Sequence, residues 1–341
     1  MRPRAKVAII TSVCAITLIV VCVNVKSASY STAPHAYDVR RDALRISKNN
    51  VIKVTPASLL RDAGLAPYKH VTKSLAELGK MDEISKHIVF VNAVPNSGSE
   101  VLVLLLKWLQ GWNNFKHIKL QGSKKILSNI EIEEFVYNTC DIIRDEAVPT
   151  SIDRMIYFVN FTRHDRQSPS YVNLIRDPAD YVLSRFHHLM QNDALKHLKT
   201  SKDIERCIMD KQDGCQFIDN KNVDLAIPYF CGQHENCQRL NNVWALKQAQ
   251  RTVEKYYATL GVLDELNATL EVLEHELPYF FKGASKLYYR DLLPSGNQRR
   301  KTQRASNAFR KRMKITLHKE YEFYDWAKSR LFRQLQLIYG H

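Results

Sequence analysis

An α/β fold with a mainly parallel sheet and a helical second half is predicted by three features of the sequence. Strand-like apolar runs at His87–Val94, Met155–Phe161 and Tyr171–Ile175 alternate with helical runs at Glu100–Gln110 and after Pro178, the succession that βαβ units produce. The first run ends in the small polar turn Pro95-Asn96-Ser97-Gly98-Ser99 and passes straight into a helix. Later stripes keep helical spacing: Val243, Trp244, Leu246, Ala249 and Val253; Leu263, Leu266, Leu270, Leu273 and Leu277; Tyr321, Tyr324, Trp326, Leu331 and Leu335. Such stripes are core-facing helix sides.

The individual elements follow from the same reading. His87–Val94 is β-rich and apolar apart from His87 and Asn92, as a strand covered on both faces should be. The turn after it joins strand to helix, so its backbone N–H groups and the helix dipole point at an anion. The turn is not a GxxxxGK[ST] loop. Tyr171–Ile175 is closed by Arg176-Asp177-Pro178, and Pro178 suits the first turn of the next helix. Arg176 thus stands at a strand end, where open α/β sheets place their ligands. Ser184, eight residues on, would face back from that helix. Arginine forks onto phosphate oxygens and a serine hydroxyl adds a further bond. The Arg176–Asp177 neighbours could equally form a local ion pair.

The N-terminus sets the expected compartment. Arg2, Arg4 and Lys6 precede an apolar run from Val7 to Val25. About 19 residues at 1.5 Å each span roughly 28 Å, close to the hydrocarbon thickness. The basic flank keeps the N-terminus cytoplasmic. The expected order is a cytoplasmic tail at 1–6, a transmembrane signal anchor at 7–25, a lumenal stem at 26–83 rich in Pro, Ser and Ala, and a folded domain at 84–341. A cleaved signal ending near Ser27-Ala28-Ser29 is the alternative, and it too leaves the bulk of the chain lumenal or extracellular.

Two of the seven cysteines, Cys14 and Cys22, fall in the anchor. Of the rest, Cys207, Cys215, Cys231 and Cys237 allow three pairings, and the close pairs Cys207/Cys215 and Cys231/Cys237 are the simplest. A metal site around His234 is the rival reading, opposed by the absence of any CxxC spacing; no metal is expected. Cys140 is left over. Asn160-Phe161-Thr162 and Asn267-Ala268-Thr269 are glycosylation acceptors. The formal net charge is +15. A basic lumenal protein meets polyanionic glycans, nucleotide-sulfate donors and acidic membranes rather than nucleic acid. No acidic residue occurs from Leu292 to Lys319, which makes that stretch a polyanion contact or, alternatively, a solvated charged face.

Several long segments resemble one family, the glycosaminoglycan 2-O-sulfotransferases. The closest likeness is to the uronyl (dermatan and chondroitin) and insect Pipe branch, with heparan sulfate 2-O-sulfotransferase as a cousin. Tyr171-Val172-Asn173-Leu174-Ile175-Arg176-Asp177-Pro178 with Ser184 is similar to the segment that holds the 3′-phosphate of the sulfonate donor PAPS. Ile227-Pro228-Tyr229-Phe230-Cys231-Gly232-Gln233-His234 with Cys237, Leu277-Pro278-Tyr279-Phe280-Phe281-Lys282-Gly283 and Glu320-Tyr321-Glu322-Phe323-Tyr324 resemble family signatures. Arg300-Lys301-Thr302 resembles a basic segment closing over the donor. The resemblance implies a P-loop-like sulfotransferase fold, PAPS as co-substrate held by Ser97, Gly98, Ser99, Arg176, Ser184, Lys301 and Thr302, and a glycan acceptor. It further implies Golgi type II topology, disulfides Cys207–Cys215 and Cys231–Cys237, and a possible homotrimer.

The chain departs from that family where chemistry is concerned. The loop lysine that contacts the donor is Asn96 here, and the basic residue before the loop valine is Ala93. The loop ends on Glu100, whose carboxylate repels phosphate although it suits a helix N-terminus. The histidine that serves the family as general base falls on Met155, which carries no titratable proton. His164, nine residues on, would replace it only with a large alignment shift. The expectation is therefore a PAPS-dependent 2-O-sulfotransferase relative with degenerate catalytic positions or, alternatively, an inactive lumenal relative that binds polyanions or regulates an active paralogue.

Overall fold

The computed structural model describes residues 83–189, 198, 200–212, 215, 225–293 and 304–340. The expected tail, anchor and nearly all of the stem lie outside the described residues, as do Lys301 and Thr302. Among the described residues no helix is long and apolar enough to cross a membrane.

Five strands make one sheet: β1 (Ile84–Asn92), β2 (Lys116–Lys119), β3 (Thr150–Arg154), β4 (Ser168–Ile175) and β5 (Tyr257–Val262). Their order is β2-β3-β1-β4-β5, and every pairing is parallel. Helices α1 (Ser99–Asn113) and α2 (Asn129–Arg144) follow β1 and β2. After β4 come α3 (Pro178–Leu189), α4 (Ser201–Met209), α5 (Ala226–Cys231) and α6 (Val243–Tyr256). After β5 come α7 (Leu266–Glu276), two single turns α8 (Pro278–Phe281) and α9 (Ala284–Leu287), then α10 (Asn307–Thr316) and α11 (His318–Tyr339). The predicted parallel α/β sheet and helical second half are what the chain adopts.

Period-two alternation sends β1 to both faces. Val89 and Val91 pack with Leu102, Leu105 and Leu109 of α1 and with Leu270 and Leu273 of α7. Ile88 and Phe90 face the other way, into a core shared with Phe135 of α2, Tyr229 of α5, Val253 of α6 and Phe323 of α11. Phe90 stacks on Tyr171 at 5.1 Å.

One predicted strand is corrected. Met155–Phe161 is not a strand: β3 ends at Arg154, and the apolar run beyond it is a buried loop leading into the turn Phe161–His164. Ile156, Tyr157, Phe158 and Val159 are all buried while Met155 is exposed, so the apolar pattern marks burial without ladder pairing. Their backbone is satisfied outside the ladder: Tyr157 N–H donates to Lys125 O and Phe158 N–H to Tyr229 O. The true strand is polar, Thr150-Ser151-Ile152-Asp153-Arg154, and its polarity is matched across the register by His117 of β2. His117 Nδ1 lies 2.9 Å from Ser151 Oγ, and Nε2 lies 3.1 Å from Asp153 Oδ1. A second correction concerns α6. Leu246, Ala249 and Val253 are buried as expected, whereas Val243 and Trp244 sit half-exposed in its first turn.

Gly261 shows how closely α7 approaches β5. A Cβ there would lie 2.1 Å from Thr269 Cγ2 and 2.7 Å from Leu174 Cδ2. Thr269 cannot retreat, because its hydroxyl is bonded to Val262 N–H (3.1 Å) and Val262 O (3.3 Å). Gly261→Ala is expected to cost about 1–3 kcal/mol, as overpacking of a tight core does, read as a lower urea midpoint with unchanged slope.

Candidate functional site

The strand order places the candidate site. The chain leaves β1 toward β2 on one side and leaves β4 toward β5 on the other, so the carboxyl ends of β1 and β4 flank the sheet's topological switch point, where ligands of open α/β sheets bind. The loop Val94–Ser99 follows β1 there, and Arg176 follows β4. Asn96 (φ 59°) and Gly98 (φ 99°) are both left-handed. Asparagine is among the few non-glycine residues that adopt this region readily. At Gly98 a Cβ would also meet Leu263 Cδ1 at 2.8 Å.

The loop rests on a buried polar network. Ser99 Oγ donates to Asn173 Oδ1 (2.7 Å), and Asn173 Nδ2 donates to Asn92 O (2.7 Å). Asn92 Nδ2 donates to Tyr229 O (2.9 Å), and Tyr257 OH donates to Asn92 Oδ1 (2.8 Å). Ser97 Oγ donates to Val94 O (2.8 Å) and lies 2.8 Å from Ser99 Oγ. The hydroxyls of Ser97 and Ser99 are therefore buried and spent on shaping the loop. What the loop offers a ligand is its backbone, its glycine and the first turn of α1. Asn96 is half-buried, and its carboxamide makes no hydrogen bond among the described residues.

Arg176 and Asp177 do not pair with each other. Asp177 caps α3, accepting N–H bonds from Ala179 (2.9 Å) and Asp180 (3.2 Å). Its ion partner is Arg310 of α10, at 2.6 Å, and Tyr321 OH donates to it at 3.3 Å. Arg310 forks to Asp180 as well, at 2.7 Å. Burial raises the Asp177 carboxyl above the usual range, against its N–H donors and Arg310. Arg176 itself is largely buried yet makes no ion pair or hydrogen bond among the described residues. Burial lowers its pKa, opposed by the fields of Asp180, Asp264 and Asp177. Together with Ser97, Tyr181, Glu320, Phe323 and Tyr324 it lines a small cavity beside the loop. Ser184 is half-buried on α3 and makes no hydrogen bond among the described residues.

Met155 directly follows β3, on the same carboxyl edge as the loop, and is 42% exposed. His164 is elsewhere: the chain has by then returned toward the amino end of β4, which starts at Ser168. Among the described residues no group of His, Cys, Asp and Glu could hold a metal. His234 is otherwise engaged, its Nδ1 accepting from Asn236 N–H (3.1 Å) and its ring packing 5.0 Å from Trp244. Cys207 is bonded to Cys215 and Cys231 to Cys237; Cys140 is buried and belongs to neither bridge. Asn160 caps the turn Phe161–His164, its Oδ1 accepting from Thr162 N–H (3.1 Å), Thr162 Oγ1 (2.7 Å) and Tyr256 OH (3.3 Å). Asn267 is exposed at the start of α7, although its Thr269 is buried.

Glu320 stands in the sequence only as the first residue of the signature-like run Glu320–Tyr324, with no role of its own. It is buried in the first turn of α11 and accepts N–H bonds from Ala226 (3.1 Å) and Ile227 (3.2 Å). Burial pushes its carboxyl up to about 8, against those two donors. An acid raised in the folded state keeps its proton while the unfolded chain, near 4.5, loses it. Its contribution is therefore fully present below about pH 4.5 and is lost as pH rises through 8, at about 1.4 kcal/mol per pH unit. Thermal melts between pH 5 and 8 are expected to fall less steeply for Glu320→Gln than for the wild type.

Fold and site together define a class: an α/β protein with a strand-to-helix loop and a largely buried arginine at the switch point of a parallel sheet. The sulfotransferase family matches residues 83–327, and the chain belongs to it. It is 30% identical over 278 residues to the uronyl 2-sulfotransferase homolog pip of Drosophila melanogaster, covering 72% of this chain and 52% of that protein. Uronyl 2-sulfotransferase of Homo sapiens is 30% identical over 272 residues, 74% of this chain and 64% of that one. The heparin sulfate O-sulfotransferase of Drosophila melanogaster is 30% identical, covering 69% and 67%. The chain thus spans about half to two thirds of the length of these relatives.

Proposed function

We propose that this chain is a lumenal Golgi protein of the 2-O-sulfotransferase type. It binds PAPS across the β1–α1 loop and Arg176, and its acceptors are uronic acid residues of glycosaminoglycans or glycoproteins. The observation that supports this reading is the largely buried guanidinium of Arg176, which makes no ion pair or hydrogen bond among the described residues, beside a left-handed glycine loop at the switch point. A largely desolvated cation held by no direct ion pair is costly unless an anion completes it. In this reading Gly98 and the N-terminal amides of α1 receive the 5′-phosphate, and Arg176 with Ser184 receives the 3′-phosphate. Lys301 and Thr302 would close over the donor. The uronyl acceptor is suggested by the names of the relatives. The exposed Asn267 is the better of the two glycosylation acceptors.

In transfer, an acceptor hydroxyl oxygen bonds to sulfur as the bond from sulfur to the 5′-phosphate oxygen breaks, and the hydroxyl proton must leave. Asn96 can donate a hydrogen bond to the departing phosphate but cannot neutralise its charge, a loss worth about 3–4 kcal/mol at an anion-stabilising position. The Met155 thioether cannot take the proton. These two positions favour a second reading, a relative that keeps the donor site and binds polyanions or regulates an active paralogue.

Transfer from radiolabelled PAPS to desulfated dermatan or heparan separates the two. Turnover comparable to an active relative supports an enzyme and sinks the second reading. No turnover, with activity appearing in an Asn96→Lys, Met155→His double variant, supports the second reading and places the defect at those positions.

A further inference from the structure

We propose that α10 is a docking surface for a sulfated or carboxylated polysaccharide, separate from the donor loop. The segment preceding α10 and α10 itself carry Arg304, Arg310, Lys311, Arg312 and Lys314. Of these only Arg310 turns inward, where Asp177 and Asp180 hold it. Arg304, Lys311, Arg312 and Lys314 are exposed and make no ion pair among the described residues; Lys314 Nζ lies 5.7 Å above the Tyr321 ring.

Solvated helices elsewhere in this protein mix their signs: Arg144 pairs with Asp141, Lys319 with Glu322 and Lys328 with Glu265. Among the described residues, the buried acids Glu205, Asp180 and Glu320 that pack near α10 are already engaged. Glu205 of α4 accepts from Ser306 N–H (2.7 Å) and Oγ (2.6 Å), and Asp180 also accepts from Ala305 N–H (2.7 Å). Glu320 accepts from α5. Four cations with no ion partner among the described residues therefore stand exposed on α10 and the segment leading into it.

A membrane surface fits less well. An interfacial helix inserts an apolar face, whereas Phe309, Met313 and Leu317 are already buried in the core, and only Ile315 remains as a large exposed apolar side chain. A flexible polymer bearing repeated anions needs no apolar insertion, only an array of cations on a fixed frame. Choosing a polysaccharide among polymeric anions rests on the functional reading above; the cationic surface does not.

The test uses the full chain in detergent and a size-defined heparin oligosaccharide at about 0.15 M salt, where charges beyond roughly 8 Å are screened. A variant with Arg304, Lys311, Arg312 and Lys314 all changed to Gln is compared with one in which exposed Lys86, Lys247, Lys282 and Lys286 are changed to Gln. Four contacts each worth about a factor of two predict a loss of about tenfold or more for the first variant and little change for the second. Equal losses would mean that net charge alone attracts the polymer, overturning the proposal. So would an unchanged first variant, or a wild type that does not bind heparin. Loss of binding to acidic phospholipid vesicles with heparin binding intact would make the surface a membrane contact and overturn the polysaccharide assignment. Titration of 3′,5′-ADP in the same samples keeps this separate from the donor site. A chain that ignores the nucleotide but loses heparin through α10 contradicts the donor reading and leaves the docking surface standing.

Discussion

Arg310→Ala is expected to destabilise the domain by about 3–5 kcal/mol, the range for removing one partner of a buried ion pair. Arg310 spans two carboxylates, at 2.6 Å from Asp177 and 2.7 Å from Asp180, and both are buried. Removing it strands two charges and unties α10 from the cap of α3. Unfolding monitored by circular dichroism should show a midpoint lower by on the order of 10 °C for a domain of this size. The deficit should shrink at acidic pH, where the stranded carboxylates take up protons. Arg310→Lys should recover only part of it, because a point charge cannot fork between two carboxylates. An unchanged melting temperature would show that the clamp is not what holds α10.

Arg176→Ala is expected to do the opposite: weaken nucleotide binding on the order of 100-fold and leave stability intact. Its guanidinium is mostly buried and makes no ion pair or hydrogen bond among the described residues, so truncation removes a desolvated charge, offset only by the fields of Asp180, Asp264 and Asp177, and costs little. Against a phosphate, a forked guanidinium contributes two charge-assisted bonds, and losing both weakens affinity on the order of 100-fold. The thermal shift produced by 3′,5′-ADP should vanish in Arg176→Ala while the ligand-free melting temperature stays within about one degree or rises. A melting temperature that collapses would make Arg176 a structural residue, and the site reading would have to move elsewhere.

The contrast between these arginines illustrates what the sequence could and could not reveal. The position of Arg176 is legible because it is set locally: it follows an apolar strand and precedes a proline-started helix. Arg310 is not, because its partners lie 133 and 130 residues earlier in sequence; within its own segment it looks like one more solvated cation. The loop after β1 was legible from the strand, turn and helix order. The conversion of its serine hydroxyls into internal supports was not, since it depends on Asn173 and Asn92 facing it from two neighbouring strands. The strand reading failed where burial and ladder pairing part company. Ile156–Val159 is apolar because it lies under α5, while β3 is polar because His117 meets Ser151 and Asp153 from the next strand. Hydrophobic pattern reports burial, and only topology reports which buried segments are strands. Asn96 gains a physical sense that sequence alone lacks. The loop is left-handed there, and an asparagine accommodates that geometry even though it lacks the charge.

The central claim is that the β1–α1 loop and Arg176 form a nucleotide site whose binding outlasts any loss of transfer. Calorimetric titration of the full chain with 3′,5′-ADP tests it most directly. The account predicts one site per chain in the wild type and tighter binding in Asn96→Lys, where a cation joins the loop. Absence of any binding heat in the wild type, with the domain folded by circular dichroism, would contradict it.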